Sequence, residues 1–314
     1  MRIKPKCDRH RHMGGAISPE TVFEILRRSG SRADPDVIRK RLTYEDEHPR
    51  DFSYFLKKFE ILDDIVWHDW AIDLAVQQIC HDVACEGLER CSISFSINKY
   101  LRDTRWTAKS VTDFIIRSYR YHSRKHGIQV MLLLSLTYHS PFPLQQHIAS
   151  VVRDPISDDL NGLDLVGDES YFSKYQYRPI VDMWHNAGKI VRAHVGELPG
   201  TSGNTALAIE MDVDRIAHGI RVEHDDLRRA IDNGVVFDMA LHSNYYTGAI
   251  KDITSHPVKS MIAAGAKVTF NTADPVQFGC TLDKEYQLAL DNGLITQAEA
   301  EKIAKNGNGH RSSI

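Results

Sequence analysis

Ile180-Val181-Asp182-Met183-Trp184-His185-Asn186-Ala187-Gly188-Lys189-Ile190-Val191-Arg192-Ala193-His194-Val195-Gly196-Glu197 is the stretch that decides the fold of this chain. Residues 180–187 carry a helical pattern, Gly188 stands where a helix C-cap is expected, and Ile190–His194 reads as a short apolar strand. Titratable residues appear as that strand ends. The same unit repeats in both directions. Strands are predicted at about Ile3 to His12, and at Cys91–Ile97, Gln129–Leu136, Leu163–Gly167, Ile190–His194, Arg215–His218, Val235–Leu241 and Lys267–Asn271. Helical patterns lie between them, around Val111–Tyr119, Ile180–Ala187, Thr205–Met211, Asp225–Asn233 and Pro257–Ala264, and Gly127, Gly234 and Gly265 repeat the position of Gly188. Strands alternating with helices imply a parallel sheet. Eight units in 314 residues predict an α/β fold, a closed (β/α)8 TIM barrel. An open doubly wound sheet competes, but no G-x-G-x-x-G follows any strand.

After the first strand, Ser18-Pro19 is a good helix start, with Val22, Ile25 and Leu26 as the apolar face and Gly30 as the stop. Residues 31–79 are longer than one crossover requires. Within them Phe52, Phe55, Leu56, Phe59 and Leu62 fall at helical spacing, as a packing face, as an aromatic lid over a pocket, or as both. The expectation is one barrel domain over residues 1–314, with a helical lid region at 31–79.

Composition excludes several classes. The apolar share of 42% and charged share of 26% are those of a globular protein. At net charge −3, with Lys and Arg scattered, no footprint for nucleic acid is visible. The strongest apolar run, Ile128 to Leu136, is too short to span a bilayer, and no apolar segment follows the basic Met1–Lys6. Cysteines 7, 80, 85, 91 and 280 form no C-x-x-C pair and are odd in number, which suits reduced thiols. A cytoplasmic location, a small-molecule ligand, and neither nucleic acid nor membrane are expected.

In such a barrel the chemistry sits at the C-terminal strand ends. Strand 1 ends in His10 and His12, strand 4 in Gly167-Asp168-Glu169, and strand 5 in His194-Val195-Gly196-Glu197. Strand 6 ends in His218-Gly219, strand 7 runs into His242-Ser243-Asn244, and strand 8 runs into Asn271-Thr272-Ala273-Asp274-Pro275. Few titratable groups are expected within the strands themselves. His10 and His12 share one face of a strand because side chains alternate, and a pair of imidazoles aimed at one point suits zinc. Each of these groups has a plain structural role open to it: a strand-end His can be a bonded core residue, Asp274 can open a turn, and Asp168-Glu169 can cap a helix. Their joint occurrence at strands 1, 5, 6 and 8 points to a site.

These residues resemble the adenosine deaminase family of the amidohydrolase barrels, from Lys4 to about Tyr286 and in motif order. The resemblance rests on His10-x-His12 with Gly15 and Ser18-Pro19-Glu20-Thr21, Gly167-Asp168-Glu169, His194-x-Gly196-Glu197 and Arg215-Ile216-x-His218-Gly219. Ser243 to Ala249, His256-Pro257, Asp274-Pro275 and Phe278 complete it. It implies one Zn2+ per chain on His10, His12 and His194, with a position left for water whose pKa the zinc lowers. It also implies that His218 orients that water and takes its proton, and that Glu197 protonates a purine ring nitrogen, which needs a carboxyl with raised pKa. Asp274 and the backbone of Gly167 would bind the purine, whose product is the 6-oxopurine plus ammonia. A metalloprotease or cytidine-deaminase type is excluded by the absence of H-E-x-x-H and of P-C-x-x-C. No lysine ends strand 4, which favours a mononuclear site.

Three positions depart from the family pattern. The family writes Thr-Asp-Asp-Pro after strand 8, its first Asp being a fourth zinc ligand, and here that position is Ala273. One change in an otherwise intact motif looks like a single inactivating substitution, with a natural purine-binding or regulatory pseudoenzyme as the alternative. Gly14 stands where many nucleoside-specific members carry an acidic residue. It would remove repulsion from a 5′-phosphate and leave backbone N–H groups beside the Ser18 helix, or it would only ease a turn. With Asp at position 273, AMP or dAMP is then expected to be accepted at least as well as the free nucleosides. His242 stands where many members have Pro.

Overall fold

The computed structural model describes residues 4–45 and 47–308. Ile3, the expected start of the first strand, lies outside them. Eight strands form one sheet in sequence order: β1 Cys7–His12, β2 Arg90–Phe95, β3 Gln129–Thr137, β4 Gly162–Val166, β5 Ile190–Val195, β6 Arg215–His218, β7 Val236–Met239 and β8 Lys267–Phe270. Each neighbouring pair is parallel. The ring closes where Ala273 bridges Arg11: Ala273 N donates to His10 O and His12 N donates to Ala273 O, both at 2.8 Å. The predicted (β/α)8 barrel is the fold.

The helices are α1 Pro19–Arg28, α2 Pro35–Leu42, α3 Phe52–Lys57, α4 Glu60–Asp63, α5 Asp69–Cys85, α6 Ala108–His126, α7 Phe142–Ala149 and α8 Lys174–Asn186. After β5 come α9 Ser202–Glu210, α10 His224–Asp232, α11 Leu241–Tyr246, α12 Val258–Ala263, α13 Leu282–Asp291 and α14 Gln297–Asn308. Among the described residues, no helix is long and apolar enough to cross a membrane. Helix α1 starts as its sequence dictates: Ser18 Oγ accepts the Thr21 N–H, and Val22, Ile25 and Leu26 are buried. Burying each such side chain stabilises by about 1.5–3 kcal/mol.

Three expectations shift. The apolar run Val235–Leu241 overshoots β7, because Leu241 already opens α11, so Ser243 and Asn244 are helical. Helix α8 begins at Lys174, six positions ahead of the predicted start, with Pro179 inside its early turns. The region 31–79 is not one unit. Helices α2, α3 and α4 belong to the insertion, whereas α5 packs along α6 in the outer ring. Phe55 is buried against Tyr44, Phe278 and Cys280 while Phe52, Leu56 and Phe59 pack around them. The side chains of the packing face also line the cavity described below.

Contrary to expectation, the strands themselves are charged. In the barrel interior Arg192 (β5) donates to both carboxylate oxygens of Asp164 (β4) at 2.8 and 2.6 Å. It also donates to Ser94 Oγ (β2) at 2.5 Å and to the Arg9 carbonyl (β1) at 2.7 Å, and it lies 3.6 Å from Asp238 (β7). Asp238 accepts in turn from Arg215 and from Thr269 Oγ1 (β8). Arg192, Asp164 and Asp238 have no solvent exposure. Buried charges persist only when paired in this way.

Candidate active site

The C-terminal ends of the strands bring three imidazoles together. His10 Nε2 lies 2.9 Å from His12 Nε2 and 2.9 Å from His194 Nε2, and the last two are 3.2 Å apart. Strand β1 bulges between Asp8 and Arg11, yet both of its histidines face the site. Arg11 turns away as period-two alternation requires, pairing with Glu86 at the C-cap of α5 and with Asp8. Burial, reinforced by Arg192 and the neighbouring rings, holds His10 well below the usual imidazole range. Burial and His194 do the same for His12. His194 Nδ1 faces the Leu165 carbonyl at 3.1 Å and Asp164 at 3.3 Å, which leaves its Nε2 lone pair free. Three ring nitrogens about 3 Å apart thus converge on one point. A zinc with Zn–N bonds of about 2.0–2.1 Å would hold tetrahedral nitrogens roughly 3.3 Å apart, so the donor set fits a metal.

Beside this triangle stands Glu197. Its Oε1 accepts from Asn244 Nδ2 at 3.3 Å and Thr247 Oγ1 at 3.2 Å, and its Oε2 lies 3.6 Å from His218 Nε2. Burial pushes the Glu197 carboxyl up to about 7. Burial and the His194 ring hold His218 well below the ordinary imidazole range, so it is a neutral base. His218 Nδ1 is 3.0 Å from Asn244 Nδ2, and Asn244 Oδ1 meets His256 Nε2 at 3.2 Å. Glu169, on the short turn after β4, accepts the backbone N–H groups of Gly196, Glu197 and Leu198, each at 2.7 Å. Asn244, Thr247 and Glu169 were visible only as letters of motifs. Their roles, setting the acid and the loop that carries it, depend on partners about 30 to 50 positions away. Asp168 does what the plain role allows and caps the turn at Ser170 N.

A cavity of about 460 Å³ opens onto this cluster, lined by His12, Gly14, Gly167, His194, Glu197, His218, Ala273 and Asp274 among others. Its volume is that of a small-molecule site. His10 is completely buried behind them. The residues expected to bind metal, react or hold the purine therefore lie at this mouth or, for His10, directly behind it. Asp274 is buried with Oδ1 unpartnered, and burial together with Glu197 raises its carboxyl well above the usual range. It packs so closely on Gly15 that a Cβ there would stand 1.8 Å from Oδ1. Ala273 lines the same cavity, on a backbone with φ +55°.

Gly14 differs from its expectation. The space a side chain would take is already filled by Phe59, 3.1 Å from an ideal Cβ, and by Leu62 at 3.5 Å. The Ser18 helix start is also committed, with Ser18 N bonded to Gln78 Oε1 and Oγ to Thr21. His242, unexplained by sequence, bonds Glu285 Oε1 through Nδ1 at 2.7 Å and ties α11 to α13.

A parallel eightfold barrel with a histidine triangle and a carboxyl of raised pKa at its mouth is the architecture of an amidohydrolase-type hydrolase. Within that class the chain belongs to the adenosine deaminase family: the family model described as Adenosine deaminase matches residues 5–313. A curated relative, the Adenosine deaminase of Lactococcus lactis, is 24% identical over 95% of this chain and 91% of its own length. Among solved structures, a Burkholderia ambifaria amidohydrolase with bound Zn superposes with TM-score 0.87 at 20% identity, covering 96% of this chain and 84% of that one. An Arabidopsis ADAL complexed with IMP gives 0.83 at 17%, covering 96% and 90%. The family is one of hydrolytic deaminases acting on adenine compounds.

Proposed function

We propose that this chain is a zinc-dependent deaminase of an adenine nucleoside or nucleotide, converting adenosine, deoxyadenosine or their 5′-monophosphates to the hypoxanthine compound and ammonia. The observation that carries the reading is the triangle of Nε2 atoms directly beside a buried carboxyl whose pKa burial raises to about 7. In it, His10, His12 and His194 hold one zinc, which when bound supplies an activated water for attack on C6. His218, held well below the ordinary imidazole range by burial, accepts the proton of the attacking water. Glu197 donates a proton to the ring nitrogen next to C6, so that the carbon becomes electrophilic. Asp274 and the Gly167 backbone hold the purine edge, the proton taken by His218 leaves with the ammonia, and the remaining hydroxyl proton returns to Glu197 as the C6 carbonyl forms.

One observation favours a second reading. Ala273 offers no carboxylate to steer the nucleophile, as suits a purine-binding protein without turnover. Metal analysis and an ultraviolet assay separate the cases. The unaltered protein is expected to carry one zinc per chain and His12→Ala almost none; unchanged metal content in that variant would sink the ligand assignment. Spectral conversion of adenosine, deoxyadenosine, AMP or dAMP supports deamination, and tight binding with no conversion supports the pseudoenzyme.

The raised carboxyl also fixes a pH dependence. Glu197 acts as an acid only while protonated, so activity is present below about 7 and is lost as pH rises through that value. The base His218 stays neutral far down the acid side. The expected kcat/KM profile of a deaminating form therefore falls about tenfold per pH unit on the alkaline limb. A profile flat from about pH 6 to 9 would rule out Glu197 as the proton donor.

A further inference from the structure

The cavity has a second wall that chemistry at C6 leaves unused. Ser96, Asn98, Lys99 and Arg102 follow β2, and Ser140 follows β3. Asn98 Nδ2 donates to Ser140 Oγ at 2.9 Å and ties the two loops together. Lys99 is the unusual member. Its ammonium stands 4.3 Å from the centroid of the Trp67 ring and 5.3 Å from that of Tyr100. Two aromatic faces thus fix a cation whose only electrostatic neighbour of note is the exposed Asp63. It takes part in no ion pair or hydrogen bond among the described residues, and burial lowers its pKa to about 8. A partly desolvated ammonium without a counter-charge gains when an anion arrives. Asn98 Oδ1 is buried without a hydrogen-bond partner, an acceptor in want of a donor.

The acidic groups around the cavity do not cancel this wall. Glu197 and Asp274 belong to the base end, and their raised pKa values keep them partly or wholly uncharged. Glu60 and Asp63 are solvent-exposed on the facing insertion, where water and salt screen them, and Asp63 already meets Arg102 at 3.4 Å. The cationic end of the cavity is therefore the β2 loop, not the Ser18 helix.

We propose that this wall is the subsite for a sugar 5′-phosphate, with Lys99 as the anion's partner and Asn98 Oδ1 accepting from a sugar hydroxyl, so that the site selects nucleoside 5′-monophosphates over free nucleosides. The inference rests on the purine-deaminase reading and adds the substrate class. A phosphate monoester brings nearly two negative charges to a site already holding a positive one.

Calorimetric titration of the unaltered protein with inosine and IMP tests it without turnover. IMP is expected to bind at least about tenfold more tightly than inosine, and Lys99→Met to remove that advantage while leaving inosine affinity unchanged. Equal affinities in the unaltered protein, or a full IMP advantage in Lys99→Met, would overturn the subsite and leave the purine reading standing. If neither ligand binds, the purine reading falls and takes the subsite with it. Inosine affinity serves as the folding control for the variant, and the comparison in the unaltered protein stands without it.

Discussion

Ala273→Asp raises the rate of adenine-to-hypoxanthine conversion by at least ~10²–10³-fold. The backbone is already shaped for the acid. Position 273 sits at φ +55°, a left-handed conformation in which Asp is enriched over Ala. Hydrogen bonds to His10 O and from His12 N pin that backbone whatever side chain it carries. A carboxylate there enters a cavity wall shared with His194 and His218. It can complete the metal's protein ligands and accept a hydrogen bond from the attacking water, an interaction that strengthens as charge develops. The same change should make the fold more dependent on metal, since an unpaired buried carboxylate is costly until a cation neutralises it. A thermal shift on adding zinc should accordingly be larger for the variant than for the unaltered protein. Equal rates for the two forms, measured by ultraviolet absorbance, would show that the site works without a carboxylate at this position.

Glu197→Gln, made in that activated background, lowers kcat by ~10²–10⁴-fold and leaves zinc content unchanged. Gln keeps the volume of Glu, and its amide can still pair with Asn244 and Thr247, so the loop held by Glu169 has no reason to move. What it lacks is a proton that can be given to a ring nitrogen. The loss should fall on kcat more than on KM, because the interaction is made as the transition state forms. A rate within about threefold of the parent would remove Glu197 from the chemistry and leave it a spacer beside His218.

How much of this was legible in the chain depended on how far apart the interacting residues lie. Strand β5 could be read because an apolar run is bounded by Gly188 on one side and titratable residues on the other, all within ten positions. The histidine triangle could be read in part, since His10-x-His12 is local, but the arrival of His194 follows from the barrel rather than from spacing. The end of β7 could not, because Ala240 and Leu241 continue its apolar pattern into a helix. Gly14 offered two readings, room for a phosphate or an eased turn, and the residues packed against it, Phe59 and Leu62, come from the insertion more than forty positions on. Lys99 carried no signal at all: a lysine in a polar loop is ordinary until Trp67 is found beneath it. The strand charges Asp164, Arg192 and Asp238 interrupt apolar patterns singly, and nothing local announces that each finds its partner across the barrel.

Those strand charges have a consequence for how such a barrel can be taken apart. A chain divided between β4 and β5 leaves Asp164 in one fragment and Arg192 in the other, and Arg192 also loses Ser94 and the Arg9 carbonyl. The N-terminal fragment would carry Asp164 stripped of its cation, a penalty of about 3–5 kcal/mol, and Arg192 would keep only Asp238, at 3.6 Å. Neither half is a self-sufficient piece, so this barrel is not a tandem of two exchangeable (β/α)4 modules.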